Sequence, residues 1–229
     1  MSVKSMCDIS YSQGHEFILA LEKAGFNGDI VQQVINSRGN KMAKAMYASV
    51  QDESGTDNRF QFLKSFEVTV PEGYDHATRL DTFRAAHQNK KNKEFYFYND
   101  AITDANFAAK ATTKLTAGRK FHVKVFGITE RVTSEDCLAK LRSEKAVLVG
   151  AQGASLAYEQ KKAELPKGKW AISFDEKKVL WRGPGGYHRV PIVSASSDGV
   201  FDFGLGYFER DWVSGGVLLC FCDLPAGEA

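Results

Sequence analysis

Three lysines and four aromatic residues stand almost side by side in Lys90-Lys91-Asn92-Lys93-Glu94-Phe95-Tyr96-Phe97-Tyr98. Ammonium groups attract phosphates and flat rings stack on bases, so the run has the ingredients of a single-stranded nucleic-acid contact. In an extended strand Tyr96 and Tyr98 project to one side, Phe95 and Phe97 to the other. A second strand, predicted from Arg119 to Thr129, places Lys120, His122 and Lys124 on one face. If the two strands are neighbours, tyrosines and cations form one basic-aromatic platform. The plainer reading of these residues is a core strand preceded by a solvated helix end, whose lysines suit the helix dipole.

Other constellations carry other chemistry. Gly150-Ala151-Gln152-Gly153-Ala154-Ser155 joins a predicted strand to a predicted helix. Free N–H groups at the helix start, with the Ser155 hydroxyl, could hold a phosphate through Gly150, Gly153 and Ser155. The dinucleotide and Walker patterns are both absent, and a tight turn that needs small residues explains the stretch equally. Cys220 and Cys222 share a strand face, and the other soft donors are the scattered Cys7, Cys137, His122 and His188, which is not zinc-ligand spacing. Asp202, Glu209 and Asp211 lie near His188 in sequence, where a general acid–base pair could form. Trp170, Trp181, Tyr187 and Trp212 accompany the loop Gly183-Pro184-Gly185-Gly186, a composition shared by binding surfaces and by core aromatics beside a surface loop. There is no Gly-x-Ser-x-Gly elbow and no His-Glu-x-x-His helix.

These residues need elements to position them. Residues 1–58 read as a helical segment: one helix after Ser12, a second after Asn27, and a third from Met42 to Val50. Arg38, Lys41 and Lys44 in this segment leave a helix-turn-helix open beside a docking bundle. Residues 59–229 read as a mixed α/β domain. Its expected strands include Phe66–Val70, Lys93–Tyr98, Arg119–Thr129, Ala146–Val149, Lys169–Phe174 and Val217–Cys222. Its expected helices follow Asp75, Thr103, Thr133 and Gly150, with a capping box at Thr133. Asp198-Gly199 predicts a two-residue hairpin pairing Ser196 with Phe201, Ser194 with Phe203 and Ile192 with Leu205. Gly204 and Gly206 then leave the opposite face nearly bare. The expected fold is α+β, with an N-terminal helical segment, a central α/β layer and a C-terminal antiparallel β-meander.

Composition bounds the rest. The 229 residues are 43% hydrophobic, enough for a core at this length. The formal net charge is only +2, so an electrostatic partner must be met by a local patch. No apolar run reaches the length of a membrane span, and residues 1–11 lack a signal-peptide layout. Four cysteines in a chain this long need no disulfide framework, which predicts a cytoplasmic setting with reduced thiols.

Several blocks also carry a resemblance: Phe121–Gly127, Val147–Gly153, Leu165–Trp170, Ser173–Glu176, Leu205–Phe208 and Cys220–Asp223. They resemble blocks in a family of uncharacterised proteins encoded by uncultivated candidate-phylum bacteria. The resemblance spans most of the chain beyond Phe66 and implies a bacterial cytoplasmic protein. It brings no activity, cofactor or site residue with it. The residues themselves point to a non-enzymatic binding protein, with Lys90, Lys91, Lys93, Lys120, His122 and Lys124 facing phosphates and Tyr96 and Tyr98 stacking on bases. A protein-interaction or self-association module using the Gly204/Gly206 face remains open, as does an enzyme acting on a phosphorylated small molecule at Gly150–Ser155. No cofactor and no membrane partner is expected.

Overall fold

Glycine and capping residues set the local starts and stops, and the hydrophobic pattern then assembles the elements into one mixed sheet. The computed structural model describes residues 15, 18–19, 27–36, 57–87, 95–196 and 199–224. The chain divides into two units, Met1–Thr56 and Asp57–Ala229. In the first, helix α1 (Gly28–Asn36) starts where Asn27 Oδ1 accepts the Ile30 N–H at 3.0 Å. The helix expected at Met42–Val50, with Arg38, Lys41 and Lys44, lies outside the described residues.

The second unit carries β1 (Phe60–Thr69), α2 (Arg79–His87), β2 (Phe95–Tyr98), a π-helical turn (Asp104–Ala108), β3 (Lys120–Ile128), α3 (Ser134–Ser143), α4 (Gly150–Lys161), β4 (Lys169–Ile172), β5 (Arg189–Ala195), β6 (Phe201–Tyr207) and β7 (Gly216–Asp223). The seven strands form one sheet in the order β1-β3-β7-β4-β5-β6-β2. The β7–β4 and β6–β2 pairs are parallel and the others antiparallel. The fold is therefore α+β, as expected.

Both sheet faces are covered. On one, Phe66, Val68, Phe121, Val123, Leu219, Phe221, Val193 and Phe203 pack under α2, the π-helical turn and α4. Phe83 of α2 is the hub, with ring contacts to Phe95, Tyr98, Tyr158 and Phe203 at 5.7–6.2 Å. On the other face, Phe126, Ile128, Leu218, Cys220 and Ile172 meet Cys137, Leu138 and Leu141 of α3, with Phe208 and Trp212 completing the layer. The expected capping box starts α3: Asp136 N–H donates to Thr133 Oγ1, and Thr133 N–H donates back to Asp136 Oδ2.

The structure corrects three expectations. First, the C-terminal meander consists of β4, β5 and β6, paired antiparallel in order, and does not take in the last strand: β7 inserts between β3 and β4. Gly216 to Phe221 are buried without alternation, which is the mark of a central strand. Second, the hairpin register is shifted by one residue. Ser196 N–H donates to the Val200 carbonyl, and Gly199 sits at φ +87°, so the turn is one residue longer than predicted. Ala195, Val193 and Pro191 therefore face Phe201, Phe203 and Leu205, and Ile192 moves to the other face opposite Gly204. Third, that other face is not bare. A Cβ on Gly206 would fall 2.4 Å from the Trp212 ring, so the missing side chain makes room for the indole. The indole N–H in turn donates to Ser134 Oγ at the start of α3. The run Ala146–Val149 contributes only a single bridge, Val147 to Phe221, because Gly150 at φ +48° turns the chain into α4.

The two outer strands differ. β2 has four residues with a register shift between Phe95 and Phe97. β1 has ten residues and a shift near Leu63. At its far end the Gln160 side-chain amide of α4 pairs with both the N–H and the carbonyl of Thr69.

Removing the Phe83 ring leaves a cavity among at least four aromatic partners. Phe83→Ala should lower the unfolding free energy by about 3–5 kcal/mol in urea titration. A loss under about 1 kcal/mol would mean that the ring cluster does not hold the α2 layer.

Candidate functional site

The bulge in β2 redistributes its aromatics. Phe95 and Tyr98 pack together under α2, their rings 6.0 Å apart, and Tyr98 is only 7% exposed. Tyr96 is 87% exposed and Phe97 50%. The expectation that Tyr98 stacks on bases fails on burial: its ring lies edge-on to Phe203 in the core. The alternation that predicted a tyrosine face assumes an unbroken pleat, and the extra residue breaks it.

Nor do β2 and β3 form one platform. β2 is the outer strand at one side of the sheet, and β3 is next to the outer strand on the other. Lys120, His122 and Lys124 do share a face of β3, opposite Thr69, Glu67 and Ser65 of β1. Lys120 is exposed, His122 half-buried beside Cys222, and Lys124 is committed to Glu144 at 2.8 Å. Lys90, Lys91 and Lys93 lie outside the described residues.

The α4 start is sealed. Gly150, Gly153 and Ser155 are all buried, and Ser155 Oγ donates to the Gln152 carbonyl. A Cβ on Gly150 would sit 3.4 Å from the Asp175 side chain. Asp175 is itself buried, and burial raises its carboxyl above the usual range although Thr112 and Glu176 N–H groups bind it. A carboxylate therefore already occupies the place a phosphate would need, and the small residues serve close packing against Val149 and Phe221.

Of the carboxylates near His188, only Glu209 reaches it, Nδ1 to Oε1 at 2.6 Å. Arg182 Nε donates to His188 Nε2 at 3.0 Å, so the imidazole accepts there and donates from Nδ1. Burial works to raise the Glu209 carboxyl, but the hydrogen bonds from the His188 ring and from backbone N–H groups together outweigh it, and the net direction is down. Both ring nitrogens are engaged, which makes this chain a clip for the Gly183–Gly186 loop. Asp211 instead pairs with Arg131.

Cys220 and Cys222 approach to 3.8 Å between sulfurs. Burial pushes the Cys220 thiol up, and Cys222 donates to the Glu144 carbonyl. Among the described residues no three His, Cys, Asp or Glu groups converge as a metal set. One open cleft of about 430 Å³ is lined by Asp75, His76, Asp104, Lys114 and several alanines. Two of its polar groups, Asp104 and His76, have structural duties. Asp104 accepts the Leu80 and Asp81 N–H groups at the head of α2, and both His76 nitrogens meet backbone.

The arrangement that does remain accessible lies across β2, β6, β5 and β4. Phe97, Asp202, Ser194 and Trp170 are successive cross-strand partners, so their side chains form one row on one face. Trp170 is 43% exposed and rests on Gly215. The two rings stand three strand spacings apart, about 14 Å. Sequence reasoning missed this row because it needs the strand order. The signal within reach was Trp170 itself, an aromatic between two lysines and a buried pair.

The described ion pairs include one buried enough to report on pH. Glu144 bridges Lys140 and Lys124 at 2.6 and 2.8 Å. Burial opposes its ionisation, but the two lysines win and hold its pKa below the ordinary 4.5. A depressed carboxyl stabilises the fold above its unfolded pKa and loses that contribution as pH falls through the folded value. Glu144→Gln should cost about 3 kcal/mol at pH 7, since the Lys140 cation stays buried. The gap from wild type should narrow below about pH 4. Denaturant titrations at pH 7 and pH 3 check this, and an equal gap at both would refute the electrostatic origin. No family model matches the chain, and no curated protein and no solved structure matches it either.

Proposed function

We propose that the protein is a non-enzymatic binding protein that holds single-stranded nucleic acid against the Phe97–Asp202–Ser194–Trp170 row. The observation that carries this reading is the pair of half-exposed rings at either end of a row floored by small polar side chains. Exposed rings offer base-stacking faces that tolerate any sequence. β2, β4 and β6 run parallel, so their N-terminal ends lie at the same end of the sheet. Exposed Lys167 precedes β4 there, and Lys90, Lys91 and Lys93 directly precede β2 in sequence. Asp202 repels phosphates from the floor, so the strand lies with bases inward and its backbone along the lysine-bearing rim.

A second reading rests on a different observation. Phe62 and Leu63 are exposed on the outer strand β1, where an apolar pair suits contact with another protein chain. Loss of concentration-dependent association in Phe62→Ser would favour it.

The test of the first reading is a salt series of binding to short single- and double-stranded DNA and RNA. Binding should prefer single strands and weaken steeply with salt. Trp170→Ala combined with Phe97→Ala should weaken it by about 10-fold or more, given 1–3 kcal/mol per stacked base. No binding at low salt, or an unchanged affinity in the double variant, would rule the row out.

A further inference from the structure

The far end of the β5–β6 hairpin carries two arginines around one tyrosine. Arg189 and Tyr207 are cross-strand partners, and the Arg189 guanidinium lies 3.7 Å from the Tyr207 ring centroid. Arg210 approaches the same ring at 4.4 Å. These two distances bound the separation of the cations at about 8 Å, within one Debye length at physiological salt. Tyr187, exposed, stands edge-on to Tyr207 at 5.8 Å.

No carboxylate among the described residues pairs with either arginine. The adjacent Glu209 is taken by His188. The Nε–H of Arg189 is buried and finds no acceptor among the described residues. Gly183 leaves room for it: a Cβ there would fall 2.9 Å from that nitrogen. The sequence places no side chain where one would displace the guanidinium. Two like charges held this close repel each other, and the tyrosine quadrupole offsets only part of that.

We propose that Arg189 and Arg210, organised by Tyr207 and Gly183, form a binding site for a phosphate group. Guanidinium forks match phosphate oxygens in pairs, and a dianion balances two cations where a carboxylate would balance one. The phosphate could be free, on a small ester, or at the end of a strand. Tyr207 lies five residues along β6 from Asp202, about 17 Å, so the site is separate from the stacking row and does not depend on it.

The experiment measures thermal unfolding of the full chain with inorganic phosphate against sodium chloride at matched ionic strength. Phosphate should raise the Tm of the wild type by a few degrees when well above its Kd. The shift should vanish in Arg189→Gln and in Arg210→Gln, and shrink in Gly183→Ala. Arg210 is exposed, so its variant keeps the fold even if the others do not. No shift in the wild type, or an undiminished shift in Arg210→Gln, overturns the proposal. A second arm compares oligonucleotides with and without a 5′-phosphate. Tighter binding of the phosphorylated strand, lost in Arg210→Gln by about tenfold, supports the site with a strand end as its ligand. Equal binding alongside a phosphate-dependent Tm supports it with a small phosphate ester. A Trp170→Ala change should leave the inorganic phosphate shift intact, which separates failure of this site from failure of the row.

Discussion

Strand β7 is buried on both faces, and nearly every other placement in the domain follows from that. Val217, Leu219 and Phe221 fill the layer under α2 and α4, while Leu218 and Cys220 fill the layer under α3. A strand of this kind cannot lie at a sheet edge without exposing one apolar set to water. It therefore takes neighbours on both sides, β3 antiparallel and β4 parallel. Burying it centrally pushes β1 and β2 to the outside. The residues left for contact with other molecules include those of the short or bulged outer strands, the row beyond the reach of α3 and the end of the β5–β6 hairpin.

Local chemistry was legible in the sequence where a short-range hydrogen bond decides the structure. The Thr133 capping box and the start of α1 after Asn27 stand where residue types place them. The α+β class followed from the alternation of patterns. What was not legible depended on one-residue differences or on distant neighbours. One extra residue in the turn at Gly199 moved Ile192 to the other face. One extra residue in β2 sent Tyr98 into the core and left Phe97 outside. Periodicity reports the pleat but not its interruptions.

The candidate site shows the same division. The sequence supplied the right kinds of side chain, cations and aromatics, but could not say which strands adjoin. Lys120 and Lys124 proved distant in strand order from β2, and Lys124 is held by Glu144. The row from Phe97 to Trp170 joins residues more than seventy positions apart. Likewise, Arg189 and Arg210 share the Tyr207 ring only because the hairpin returns Tyr207 beside Arg189. A His188–Glu209 pair was suggested by proximity in sequence, yet its engaged nitrogens fit the role of a loop clip.

The amide of Gln160 has a further meaning for how this chain meets its neighbours. By bonding both the N–H and the carbonyl of Thr69, it imitates the peptide group of an adjoining strand. The far end of β1 is thereby terminated by its own helix. Another chain cannot zip along the whole ten-residue edge without first evicting that imitation peptide. Open-ended strand stacking, the geometry of fibril growth, is interrupted at one end of the edge, while the bulged end near Phe62 stays reachable for a bounded contact.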